Sequence, residues 1–251
     1  RADSVQFSLM NIIAVSFAQA AKKENIFLPL MSHHPVPTQE FFSYVPKEIG
    51  PIIKTFAAEN FHAQEGEIKS LWLNQQMPRR IILLGLGEHK KWNERKYPLV
   101  IRQIVQYAKK EEMKECSVVF PKDIISDNQH WERVCAVNAL MADFEFNTYK
   151  EQPKKKKQRI ETLCIAAEKR GAQKQPANPI KEGIIVGEEV NKCRELANTP
   201  GSDMTPALLA REAAATAKRT GMKAVIFDEK KMHNFGMGAI LSVGRGSGGG
   251  Q

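Results

Sequence analysis

Cysteine is scarce in this chain: four in 251 residues, at Cys116, Cys135, Cys164 and Cys193, with no C-x-x-C pair. That excludes a disulfide scaffold and suits a reducing, cytoplasmic compartment, where each thiol is expected to be free and buried. No stretch approaches 18 consecutive apolar residues, so no membrane span is expected. The six histidines (His33, His34, His62, His89, His130 and His233) form no H-E-x-x-H or other close metal-ligand spacing, and each reads as a surface or internally satisfied residue. There is no G-x-x-x-x-G-K-[ST] phosphate loop and no G-x-S-x-G nucleophile elbow. Asp123 and Asp127 could share a helix face, but two acids alone read as solvent-exposed.

What is present suits a globular protein of one large or two smaller domains, with 42% hydrophobic and 26% charged residues. The net charge of +9 is uneven. KEQPKKKKQR, from Lys150 to Arg159, holds six bases and one acid and so supplies +5 of it. The tract Lys154 to Lys157 could grip nucleic acid; the favoured reading is a solvated loop between strands. LMNIIAVSFAQA, Leu9 to Ala20, has a signal-peptide look, but Asn11 and Ser16 interrupt it, and a first β-strand explains it better. The chain opens on Arg, and residues 1–9 are set aside as candidates for non-native sequence.

Strands are expected at Asn11–Val15, Ile26–Leu30, Ile81–Gly87 (IILLGLG, the look of a strand buried on both faces) and Ser117–Pro121. FEFNTYK and RIETLCIAA are expected as strands flanking the lysine run. Phe41 to Phe56 has helical spacing broken by Pro46 and Pro51. Val100, Ile104, Val105 and Ala108 predict one helix; Val134, Val137, Leu140 and Met141 predict another. The alternation argues α/β with a largely buried sheet. GAQKQPANP, Gly171 to Pro179, reads as a linker. Asn178 then caps a helix with Pro179 at its first position, an apolar stripe of Val186, Val190, Cys193 and Ala197, and an end near Asn198. Thr205 and Pro206 open a second helix that stops near Gly221, and Ala224–Phe227 is expected as a strand.

The tail GMGAILSVGRGSGGGQ contains Gly244-Arg245-Gly246-Ser247-Gly248-Gly249, which fits G-x-G-x-x-G. A dinucleotide loop needs a strand before it and a helix and an acid after it. Met237, Ile240, Leu241 and Gly244 fit a helix; Met237, Ala239, Leu241 and Val243 fit a strand. Whether Gly248 to Gln251 is native loop or appended linker stays open.

Two stretches carry a specific family likeness. NKCRELANTPGSDMTPALLAREA, Asn191 to Ala213, and DEKKMHNFGMGAILSVGRGS, Asp228 to Ser247, resemble the leucyl aminopeptidase family, the cytosol aminopeptidases. FEFNTYK with its lysine tract, paired with IILLGLG, is more loosely similar to that family's amino-terminal domain. On the residues alone, Asn198 and Asp203 read as helix punctuation rather than ligand contacts. The resemblance implies an α/β fold: a macro-like, mixed-sheet amino-terminal domain over residues 1–172, a linker and connecting helix over 173–198, and the incomplete start of a zinc-peptidase-like catalytic domain over 199–251. It implies two-metal hydrolysis of amino-terminal peptide bonds with zinc or manganese, peptide substrates, a homohexamer and a cytoplasmic location. The family's ligand segments, such as N-T-D-A-E-G-R, do not occur here. No residue is therefore carried over as catalytic, cofactor-binding or metal-binding, and the ligands are expected beyond Gln251. The chain alone is expected to be inactive. The alternative is a stand-alone macro-like module binding a nucleotide derivative or nucleic acid.

Overall fold

A computed structural model of the chain describes residues 10–73, 77–125, 130–151, 159–167 and 178–245. Asp127, Lys154 to Lys157, most of the expected linker and Gly246 to Gln251 lie outside the described residues. The chain divides into two compact units, Arg1–Asn191 and Lys192–Gln251.

The first unit is built on six strands: β1 Asn11–Ala14, β2 Asn25–Leu30, β3 Ile68–Trp72, β4 Arg80–Gly85, β5 Glu115–Phe120 and β6 Thr162–Ala167. Their order is β1-β6-β5-β2-β4-β3, parallel throughout except where β3 runs antiparallel to β4. Helices α1 Phe17–Ala20, α2 Gln39–Phe42, α3 Ile49–Asn60, α4 Tyr97–Lys110 and α5 His130–Asp143 supply the crossovers. Strand alternation sorts the core into two layers. Phe27, Ile82, Leu84, Val118, Phe120, Leu163 and Ile165 face a cluster shared with α4 and α5. Ile26, Leu28, Ile81, Leu83, Val119 and Ala166 face another that takes in Phe17, Phe41, Ile49 and Ile53. β2 and β4 are buried at every position, as continuous apolar runs with helices on both sheet faces must be.

Several expectations change. The helical spacing from Phe41 to Phe56 is two helices. The break falls around Pro46, while Pro51 sits in the first turn of α3, where its missing N–H costs nothing. FEFNTYK forms no strand: Lys150 N bonds Asn147 O in a turn, and β6 already has β1 and β5 on its two edges. On α5 the buried residues include Trp131, Cys135, Ala136, Ala139 and Leu140, whereas Val134, Val137 and Met141 are only half-buried. This helix is covered on one side by the sheet and on another by the next helix, so no single stripe describes it.

That next helix, α6 Pro179–Asn198, starts and stops as expected, with Asn178 Oδ1 accepting from Lys181 N at 3.2 Å. Its buried face is different. Ile180, Gly183, Gly187 and Asn191 are buried, whereas Val186 and Val190 are half-buried and Cys193 and Ala197 exposed. A Cβ on Gly183 would lie 2.6 Å from the Arg133 carbonyl oxygen and 2.7 Å from Ala136 Cβ. Glycine here serves close approach of two helix backbones.

The second unit is helical among its described residues: the end of α6, then α7 Pro206–Thr220, α8 Glu229–Asn234 and α9 Gly238–Arg245. Thr205 Oγ1 accepts from Leu208 N at 3.2 Å, and Gly221 closes α7 at φ 73°. Ala224–Phe227 is not a strand. A strand needs a ladder partner, and the described part of this unit offers none; Val225, Ile226 and Phe227 stand exposed. The tail segment resolves as a helix, so the strand that a dinucleotide loop requires before Gly244 is absent.

Candidate functional site

The segment from Asn191 to Thr205 carries the strongest sequence motif, and its polar groups are occupied with chain geometry. Asn191 is buried, and its Nδ2 donates to Leu140 O at 2.9 Å. Thr199 Oγ1 donates to Glu195 O at 2.9 Å. Asp203 N and Met204 N both donate to Pro200 O, and Thr205 N donates to Asp203 O, which folds the turn between α6 and α7. Asn198, at the last position of α6, and Asp203 are both exposed. Downstream, Asp228 Oδ1 accepts from Lys231 N at 2.8 Å and caps α8. α6 ends at Asn198 and Thr205 caps α7, so both helix boundaries fall within this strip as expected. Sequence reasoning missed Asn191: it sits between Val190 and Lys192 on a mostly polar stretch, and nothing local marks it as the side chain that fastens α6 to α5.

Glu195 is held above the ordinary carboxylate range, first by burial and then by the like charge of Glu212. Lys23 and Glu115 form a half-buried pair whose hydrogen bond raises the lysine. Glu145 is lowered, chiefly by its hydrogen bond from Lys109. Among the described residues no three or more His, Cys, Asp or Glu side chains form a group that could hold a metal ion. The described residues therefore do not fit a two-metal centre, and no catalytic step is derived through one.

The thiols divide sharply. Cys116, Cys135 and Cys164 are buried; Cys193 is exposed, against expectation, because α6 turns its glycine face inward instead. Burial pushes the Cys116 thiol up to about 12 and raises Cys135 and Cys164 as well. Since the thiolate is the reactive form, Ellman's reagent should titrate one thiol quickly in the native chain and four in denaturant. Cys193→Ser should abolish the fast phase. Two or more fast native thiols would contradict the packing of β5, β6 or α5.

All six histidines are exposed, as expected, but three of them meet: His33 lies beside both His34 and His89. No helix of the described residues is long and apolar enough to cross a membrane.

Two family models match the chain in order. Residues 38–153 match the cytosol aminopeptidase family, N-terminal domain, and residues 191–251 match the cytosol aminopeptidase family, catalytic domain. The chain belongs to the cytosol aminopeptidase family. A probable cytosol aminopeptidase of Aquifex aeolicus is 29% identical over 191 residues, covering 75% of this chain and 37% of that protein. One of Streptomyces avermitilis is 35% identical over 111 residues, 43% of this chain and 22% of the relative. A tomato leucine aminopeptidase mutant superposes with TM-score 0.66 at 21% identity, over 93% of this chain and 47% of that one. The bottromycin maturation enzyme BotP, in complex with Mn, gives TM-score 0.57 at 11% identity, over 84% of this chain and 40% of its own. At those identities the likeness shows the mixed α/β fold alone. The chain spans well under half the length of these curated relatives.

Proposed function

We propose that this chain is the amino-terminal part of a metal-dependent aminopeptidase that releases amino-terminal residues from peptides. The observation that carries the reading is the co-linear match of both family domains in one chain, with the catalytic match opening at Asn191. On this reading residues 1–172 form a macro-like domain, 173–198 a linker and connecting helix, and 199–251 the opening of the catalytic domain. The catalytic groups and two divalent cations, zinc or manganese, belong to sequence this chain does not contain. The Mn bound by BotP supports a divalent cation in the reaction. A cytoplasmic homohexamer is the assembly expected of such an enzyme, and the relatives' name supports the location.

The described residues then act as scaffold. The sheet holds α5, and α5 receives the glycine face of α6. Residues 1–251, given leucyl-anilide and manganese, should show no turnover above background. A form that carries the family's downstream segments should turn over and lose activity to a chelator. Turnover by the 251-residue chain would place an active site within it and overturn this layout.

A further inference from the structure

The ends of two neighbouring strands bring together histidines that lie far apart in sequence. His33 and His34 follow β2, and His89 follows β4. β2 and β4 pair in parallel from Asn25↔Arg80 to Leu30↔Gly85. Beyond that ladder Ser32 N still donates to Gly87 O at 3.0 Å, so both loops leave the sheet side by side. The backbone under the rings is tied down. His34 N donates to Met31 O at 2.9 Å, and His89 O accepts from Trp92 N at 3.0 Å.

The His33 ring centroid lies 4.9 Å from that of His34 and 5.3 Å from that of His89. Two imidazoles on one tetrahedral zinc, with Zn–N of about 2.0–2.1 Å, have centroids roughly 5 Å apart. His33 is thus at the spacing of a shared ligand sphere with either partner. In the conformation described no three donors converge. The rings are exposed, however, and turning between staggered rotamers or about the broad ring torsion is cheap for a solvated side chain. Lys91 does not leave a bare positive charge beside the rings: its Nζ is 2.8 Å from Glu88 Oε1.

The geometry points to a surface site for one divalent transition ion, held by the imidazoles of His33 and His89 with water completing the sphere. Imidazole sets favour zinc, nickel and copper(II) over magnesium, calcium or manganese, which prefer oxygen donors. This site stands apart from the hydrolytic reading and does not depend on it.

The test uses the 251-residue chain with Cys193→Ser, which removes the exposed thiol as a competing ligand. After dialysis against chelator it is titrated with zinc chloride alone by calorimetry, and with copper(II) chloride alone by electron paramagnetic resonance. One equivalent should bind, with imidazole nitrogen couplings in the copper spectrum. His33→Ala and His89→Ala should each weaken binding about tenfold or more, whereas His34→Ala and His62→Ala should not. All four positions are exposed, so the variants should melt like the parent. Absence of one-equivalent saturable binding, or binding unmoved by both His33→Ala and His89→Ala, would overturn the site.

Discussion

Replacing Gly85 with alanine should unfold the first unit or lower its melting temperature by many degrees. The residue closes β4, and the loop 61–67 lies directly against it. A Cβ there would sit 1.9 Å from the Gln64 carbonyl oxygen, 2.7 Å from Ala63 C and 2.9 Å from Gln64 C. Every one of those atoms is backbone, so no side chain can swing aside. The loop cannot retreat cheaply either. Gly66 N donates to Gly85 O at 2.9 Å, Gly85 N donates to Glu67 O at 2.8 Å, and Gln64 O already accepts from Glu67 N at 3.0 Å. Glu67 Oε2 also accepts from His62 N and Gln64 N. Overpacking typically costs about 1–3 kcal/mol, and this immovable contact belongs at or above the upper end. For a unit of this size 3 kcal/mol corresponds to roughly 6–12 °C. Thermal unfolding of Gly85→Ala followed by circular dichroism decides the point. Gly201→Ala, where an added Cβ meets nothing within 4 Å, serves as the neutral reference. A Gly85→Ala melt within a degree of the parent would show that the loop is not packed on β4 as described.

The sheet was readable because β2, β4 and β5 carry apolar residues on both faces, and such runs announce themselves without help from the rest of the chain. Two features were not. β3 is a half-buried edge strand with Lys69 and Ser70 in it, so its pattern is weak, and only its pairing with β4 defines it. The segment 144–150 has strand-forming residues, but strand formation depends on a free edge, which no local pattern records. The same reasoning explains Ala224–Phe227: its residues suit a strand, and the described part of its unit supplies no neighbour. Helix ends were easier, since Asn178, Thr205 and Gly221 act within one turn of their own positions.

The candidate site was legible only where its chemistry is local. The caps of the Asn191–Thr205 strip follow from residues three or four apart. His33 and His89 are separated by the whole β2-to-β4 excursion, and their approach depends on strand order. A scan for close ligand spacing could not find them. What would have raised the question is that each follows the end of an apolar run that reads as a buried parallel strand, the end at which open α/β sheets gather ligands.

Gly183→Ala should destabilise the first unit although it improves helix propensity. Alanine gains about 0.8–1.0 kcal/mol over glycine within a helix. Against that, the added methyl meets the Arg133 carbonyl oxygen at 2.6 Å and Ala136 Cβ at 2.7 Å, an overpacking cost of about 1–3 kcal/mol. With backbone in the way, the second effect wins, and a net loss of up to about 2 kcal/mol is expected. Gly187→Ala should be milder. Its Cβ meets Leu140 Cδ1 at 2.9 Å and Leu140 Cβ at 3.0 Å; the first of these can yield by a rotamer change, so propensity nearly offsets the clash. The double variant should cost less than the two losses summed, because one outward shift of α6 relieves both contacts. That shift would also stretch the 2.9 Å hydrogen bond from Asn191 to Leu140 O, so hydrogen exchange in α6 should rise together with the loss of stability. Additive losses with unchanged exchange would mean that the two glycines answer to separate causes. Periodicity pointed to Val186 and Val190 because it weighs side chains, and a face made of glycine has none to weigh. What aligns the helix that opens the catalytic-domain match is two missing methyl groups and one buried amide.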